Sequence, residues 1–168
     1  MQELLDVMYT RRSIREFSDE PVSDEPVEAI LKAGMAAPSA QNLQPWHFIV
    51  VRKRKKLDAL SEIHKYAHML AQAPLAIIVC GDEEVSSKHW VEDTCAATQN
   101  ILLAATALGL GGVWVSIYPK KKHQKKVREL LDIPDHVGVL CALAIGHPAE
   151  KKKARTQYDP ERVHQEEW

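Results

Sequence analysis

Three stretches of the chain carry side chains that could act together on one small molecule. Residues 10–17 read TRRSIREF. Arg11, Arg12 and Arg15, with the hydroxyl of Ser13, stand at the end of a helix and can aim several charge-assisted donors at one phosphate. Near the other end of the chain, Lys151, Lys152, Lys153 and Arg155 form a second basic cluster, and the two could converge on a single anion. Between them lies PSAQNLQPW, residues 38–46. Pro38 and Pro45 stiffen it, while Ser39, Gln41, Asn42 and Gln44 can both donate and accept hydrogen bonds. Such groups suit the carbonyl and N–H edge of a heterocycle, a pyrimidine or a flavin ring. Taken singly, each stretch is equally a solvated basic turn or a polar helix-to-strand connection.

Other motifs carry less chemistry. The glycines of LGLGGVWVS, residues 108–116, invite a dinucleotide reading, but that fingerprint needs a strand before the glycines and a helix after them. Here the order is reversed. Gly109 reads as the end of a helix, and Gly111 with Gly112 as the turn into a strand. His64 and His68 stand four apart on a predicted helix, but no further ligand follows at a useful spacing, so no metal site is expected. The runs RKRKK (52–56) and KKKHQKK (120–126) lack interleaved aromatics for base stacking and read as solvated ends of elements. No nucleophile elbow or triad signature is present.

The elements that must position these groups follow from apolar spacing. Leu4, Leu5, Val7 and Met8 predict a short helix leading into the arginines. Val27, Ile30, Leu31, Gly34 and Met35 predict a second, with Ser23 as N-cap. Strands are predicted at 46–51, 75–81, 112–118 and 137–146, and helices at 57–70, 88–108 and 122–132. The helix over 88–108 is apolar almost all round from Cys95 onward, which in so small a protein calls for a second subunit to cover it. Helices alternating with buried strands give a parallel doubly wound sheet as the default. From Ala149 the chain turns polar, with Tyr158, Val163 and Trp168 as isolated anchors.

Composition bounds the rest. The 168 residues fit one domain over 1–168, and 45% apolar content suffices for a core. Lys and Arg number 22 against 23 Asp and Glu, so the net charge of -1 gives no global field for nucleic acid or an anionic membrane. Cys80, Cys95 and Cys141 lie in apolar runs and read as buried free thiols without a redox role. With neither a leader nor a membrane span in evidence, the expected compartment is the cytoplasm.

Together the order and spacing of these stretches resemble the FMN-dependent nitroreductase family. The resemblance rests on Arg11-Arg12-Ser13-x-Arg15-x-Phe17, then Pro38-Ser39-x-x-Asn42-x-Gln44-Pro45-Trp46 about 25 residues later. It continues through the long helix with Asp93, Gln99 and Asn100, the Gly-Leu-Gly turn before Trp114, and Gly146-His147-Pro148 before the basic tail. It implies an α+β, three-layer fold with a mixed, mainly antiparallel sheet, in place of the parallel default, and an intertwined homodimer whose 149–168 tail embraces the partner. It also implies FMN held by Arg11, Arg12, Ser13, Arg15, Lys153 and Arg155 at the phosphate, ribityl and pyrimidine end. Pro38, Ser39, Gln41 and Asn42 of the other chain would line the ring, and the backbone of Val115 and Ser116 would lie near N5. Many members have a glycine near Ser116 or Ile117, and this chain does not. The implied activity is hydride uptake from NADH or NADPH and ping-pong reduction of nitroaromatic or quinone-like small molecules, with no catalytic side chain. The same scaffold also resembles enzymes that dehalogenate, dehydrogenate or fragment flavin; a non-enzymatic flavin- or nucleic-acid-binding protein is the reading from another class.

Overall fold

The computed structural model describes residues 2–168, with side chains described from Glu3 onward. Four strands, β1 (Trp46–Val51), β2 (Leu75–Asp82), β3 (Gly111–Ser116) and β4 (Val137–Gly146), form one sheet in the order β1-β2-β4-β3. Every neighbouring pair is antiparallel, which overturns the parallel default. Apolar runs such as LAIIVCG report cover on both faces, and such cover does not depend on strand direction. Among the described residues, a parallel bridge outside the strands joins Ser13 to Gly112 at the free edge of β3.

Helices cover both faces, giving the expected three layers. On one side α2 (Asp24–Met35) and α4 (Trp90–Ala107) pack Val27, Ile30, Ile101 and Leu102 against Leu75, Ile77, Leu143 and Ile145. On the other, α3 (Arg54–Ser61) and α5 (Lys121–Leu131) set Leu57, Leu60 and Val127 against Ile78, Val115 and Val139. The first helix, α1 (Gln2–Thr10), touches α4 and leads into the arginine segment. Ser23 occupies the N-cap of α2, but its side chain makes no capping bond; Asp24 and Glu25 in the first turn favour the dipole instead.

Two predicted elements differ. The helix expected over 57–70 stops at Ser61, and a 3-10 turn at His68–Ala71 follows. The guanidinium of Arg54 donates to the carbonyls of Ala73 at 3.2 Å and Leu70 at 3.0 Å, folding this segment back on the start of α3. The folded-back chain buries Ile63, Ala67, Met69 and Leu70 as well as a helix would, so the apolar pattern alone could not separate the two. The long helix is not buried all round: Ala97, Ile101 and Ala105 are inside, while Cys95, Ala96 and Leu103 are half-exposed. Cys95 thus departs from the expectation of three buried thiols. Cys80 and Cys141 are buried and all three are free; burial, opposed by Arg128, pushes the Cys80 thiol up to about 12.

Two details fix the end of the sheet nearest the site. Gly109 ends α4 with φ of 76°, and the Leu110 N–H reaches back to the Ala105 carbonyl at 2.8 Å, as a Schellman turn requires. Leu140 is the extra residue of a bulge between β2 and β4, and its carbonyl accepts from both Ile117 and Tyr118, at 3.1 and 2.9 Å. That pair of bonds fixes how the chain leaves β3.

Gly81 and Gly138 pair across β2 and β4 and form a floor for the Trp90 indole. A Cβ on Gly138 would lie 2.5 Å from the ring, and one on Gly81 2.6 Å. Because a buried indole cannot swing aside, Gly138→Ala is expected to destabilise the fold by about 1–3 kcal/mol. The check is a lower urea midpoint at unchanged m-value.

Candidate functional site

The two basic clusters do converge. From Arg11 the chain runs extended along the free edge of β3, where the Ile14 N–H donates to the Gly112 carbonyl at 3.1 Å. Gly111 permits this approach, since a Cβ there would meet Ile14 Cβ at 2.8 Å. The segment after β4 lies alongside: Ala149 N–H donates to Glu16 O at 2.9 Å, and Arg155 N–H to Tyr9 O at 3.1 Å. Arg12 Nη1 donates to the Lys153 carbonyl, and Lys152 Nζ to the Ser13 carbonyl at 2.6 Å. Glu150 accepts from the Arg15 N–H at 2.6 Å and pairs with Lys152 at 2.9 Å. The Arg15 N–H is the main cause holding the Glu150 carboxyl below its ordinary value, and Lys152 adds to it. This tie is therefore fully present above the ordinary carboxylate pKa and is lost as pH falls through the lowered one.

Arginine ion pairs among the described residues belong to Arg52, Arg54 and Arg162, and Arg11, Arg12 and Arg155 have none. Burial, then the charges of Arg155 and Arg12, pushes the Arg11 guanidinium below its ordinary value. Arg12 Nε is buried without a hydrogen-bond partner. Crowded cations with an orphaned donor fit an oxyanion such as a phosphomonoester. Lys153 contributes its carbonyl to this zipper. Lys152, one of the second basic cluster, and Glu150, which carries no signal in the sequence reading, make the cross-links.

Beside Arg15 lies a cavity of about 320 Å³ lined by His64, Tyr66, His68, Met69 and Val113–Ser116. Its floor is the rest of the β3 edge. In an antiparallel ladder the two polar groups of a residue point the same way and alternate along the strand. The Gly112 carbonyl points outward to Ile14, and the Ser116 carbonyl outward to His64 Nε2 at 3.0 Å. Trp114 therefore also turns its N–H and C=O outward, and the Ser116 N–H joins them, offering two donors and one acceptor to a planar ligand. Val115 faces β4 with its backbone and the core with its side chain, so the free groups belong to Trp114 and Ser116. His64 donates from Nε2 and accepts the Tyr66 N–H at Nδ1, 3.2 Å away, so both nitrogens are engaged. Its spacing to His68 was read on a helix that the chain does not form, and the two serve instead as cavity walls.

The Pro38–Gln44 loop sits elsewhere, at the start of β1. Gln41, Asn42 and Gln44 adopt φ of 52°, 56° and 52°, a left-handed backbone that costs free energy in non-glycine residues. Asp93, only 5% exposed, holds the loop: its Oδ1 accepts the Ala40 N–H at 2.9 Å and its Oδ2 the Ser86 hydroxyl at 3.4 Å. Ser39 Oγ accepts the Gln44 N–H at 3.0 Å. Pro38 and the side chains of Gln41 and Asn42 are left exposed. β1 and β3 are opposite edges of the sheet, separated by three strand spacings of ~4.8 Å or about 14 Å, so this loop does not meet the arginines of its own chain. Asn100 is structural, donating to the Ala33 carbonyl at 3.0 Å. Asp93→Ala would leave the Ala40 N–H unpaired and release a strained loop. It is expected to cost about 1–3 kcal/mol and to speed hydrogen exchange at Ala40, read by urea titration and amide exchange.

Comparison with known proteins agrees with this architecture. The Nitroreductase family model matches residues 8–65 and 60–147. A protein of Archaeoglobus fulgidus, provisionally named NADH dehydrogenase/NAD(P)H nitroreductase, is 48% identical over 174 residues and covers 100% of both chains. A crystal structure from Parabacteroides distasonis with the same provisional name superposes with a TM-score of 0.97 at 40% identity, covering 99% of each chain. An FMN-dependent nitroreductase of Clostridium difficile superposes with a TM-score of 0.92 at 35% identity, covering 98% of this chain and 99% of its own. The match spans the arginine segment, the loop, the long helix and the whole sheet, and the chain belongs to the nitroreductase family.

Proposed function

We propose that the chain is an FMN-dependent NAD(P)H oxidoreductase acting on nitroaromatic or quinone-like acceptors. The observation that carries this reading is the convergence of Arg11, Arg12 and Arg155, without an ion pair among the described residues, on the segment whose Arg15 lines a cavity floored by the β3 edge. The arginines would hold the phosphate of FMN, Ser13 and Arg15 its ribityl and pyrimidine end, and Trp114 and Ser116 the ring edge. Family relatives bear the names FMN reductase and NADPH-flavin oxidoreductase, which match that ligand. The bound flavin supplies two-electron chemistry, in which NAD(P)H and a proton reduce the acceptor and leave NAD(P)+. The protein binds and orients, and Arg15 beside the cavity stabilises negative charge on the reduced ring. One open cavity serves donor and acceptor in turn, hence ping-pong kinetics.

The working unit in this reading is a homodimer. The loop carrying Ser39, Gln41 and Asn42 would complete the site of a second copy, since it lies at the edge of the sheet away from its own arginines. Half-exposed Ala96 and Leu103 of α4, with exposed Gln99 between them and exposed Leu4 and Met8 of α1 alongside, make a largely apolar surface suited to that contact. The tail over 149–168, with exposed Tyr158, Val163 and Trp168, would embrace the partner. No helix among the described residues is long and apolar enough to cross a membrane. Three free thiols support placing the enzyme in the reducing cytoplasm.

The direct test is anaerobic addition of NADPH or NADH to the FMN-loaded protein, with bleaching of the visible flavin bands as the expected outcome. Arg12→Ala should weaken FMN binding by about 10–100-fold, as loss of a charge-assisted hydrogen bond implies, measured by flavin fluorescence titration. Leu103→Glu should yield a monomer that elutes without flavin in size-exclusion chromatography.

A further inference from the structure

A second basic cluster, distinct from the arginines, lies behind the His64 wall of the cavity. The ring of His64, a cavity wall, lies against the ring of His123 with centroids 5.1 Å apart. His123 belongs to α5, and its imidazole is held below the ordinary histidine range by burial first, then by the charges of His64, Lys120, Lys126 and Lys122. Lys122 adjoins His123 on α5, and Lys120 and Lys126 stand about one helical turn before and after it, so the three lysines flank the ring that backs the cavity. All three are exposed, and among the described residues none has a carboxylate partner, whereas Lys125 on the same helix pairs with Glu129 at 3.7 Å. The first turn of α5 has no acidic residue, so Lys122 there opposes the helix dipole and helix stability does not explain its placement.

We propose that Lys120, Lys122 and Lys126 bind the 2′-phosphate of NADPH, so that the enzyme prefers the phosphorylated dinucleotide over NADH. This rests on the flavin and NAD(P)H reading above. A nicotinamide stacked on a flavin held at the β3 edge leaves the remainder of the dinucleotide to extend past His64 and His123 toward the lysines. NADPH differs from NADH by one phosphomonoester, which carries about -1.5 to -2 charges at neutral pH. Three mobile ammonium groups without a neighbouring carboxylate suit that group as point charges. A site built for NADH more often places a carboxylate to accept the ribose 2′-hydroxyl, and α5 offers none in its first turn.

The test uses FMN-loaded protein and equilibrium binding of two redox-inert probes that differ only in the phosphate at issue, 2′,5′-ADP and 5′-AMP. At low salt 2′,5′-ADP is expected to bind at least about tenfold tighter, with the advantage shrinking as salt is raised. In the triple variant Lys120→Glu, Lys122→Glu, Lys126→Glu the two probes should bind within about twofold of each other. The kcat/KM ratio for NADPH over NADH should fall in parallel, while flavin reduction by the uncharged donor 1-benzyl-1,4-dihydronicotinamide stays unchanged. An unaltered thermal midpoint in the variant shows that it folds. Equal affinity of the wild-type protein for the two probes, or a preference that survives the triple substitution, overturns the proposal. Failure of every donor to bleach the flavin overturns the oxidoreductase reading instead, and the probe measurement tells the two failures apart.

Discussion

The free edge of β3 is the constraint on which the site depends. An edge strand presents unpaired N–H and C=O groups that must find partners. This chain covers one part with its own residues: Ile14 bonds Gly112, and Glu16 and Phe17 pair with the segment after β4. That demand draws Arg11, Arg12 and Arg15 from near one terminus and Lys152, Lys153 and Arg155 from near the other into one place, against their mutual repulsion. His64 caps the far end at Ser116. Between the two covers, Trp114 and the Ser116 N–H remain open, and the cavity lies there. A planar ligand with a phosphate tail would satisfy the edge and the arginines together.

The opposite edge is organised on a different principle. At the start of β1 the backbone is held in a left-handed conformation at three non-glycine positions, and a buried carboxylate from α4 secures it. Strain retained this way keeps Gln41 and Asn42 presented outward at the expense of local stability. Because the sheet stands between this loop and its own arginines, the two half-sites would serve one ligand through a second copy, as in the proposed dimer. The half-apolar face of α4 is the surface on which that copy would dock.

Much of this was legible in the residues. Arg11-Arg12-Ser13-x-Arg15 and the Pro38–Gln44 stretch stood out because their donors exceed what a turn or a spacer needs, and the sheet's buried runs were plain from their β-branched content. Strand direction was not legible in the apolar pattern, since two-face burial is blind to it, and the mainly antiparallel sheet came only from the family resemblance. The break at Ser61 was hidden because Arg54, ten or more residues away in sequence from its acceptors, redirects the chain through carbonyls that no apolar period records. His64, Tyr66 and His68 were missed as cavity walls for the same reason: they were read on a helix that does not form. Asp93 was noticed as part of a resemblance, but its role as the clamp of the loop is a long-range contact with Ala40 that only the fold supplies. Glu150 is indistinguishable from a charged tail in the sequence, and the specific contacts of Lys152 with Ser13 and of Glu150 with Arg15 come only from the fold.

In the proposed dimer each flavin site joins the arginine edge of one chain to the loop edge of another. Subunit mixing distinguishes this arrangement from a site built within one chain. Chains carrying Arg12→Ala with Arg155→Ala are combined with chains carrying Gln41→Ala with Asn42→Ala, and bound FMN is counted in the purified mixed dimer. The account predicts little flavin on either parent and one FMN per mixed dimer, because one of its two sites then joins an intact arginine edge to an intact loop. A mixed dimer as empty as its parents would contradict it, since sites built within single chains would each retain one defect.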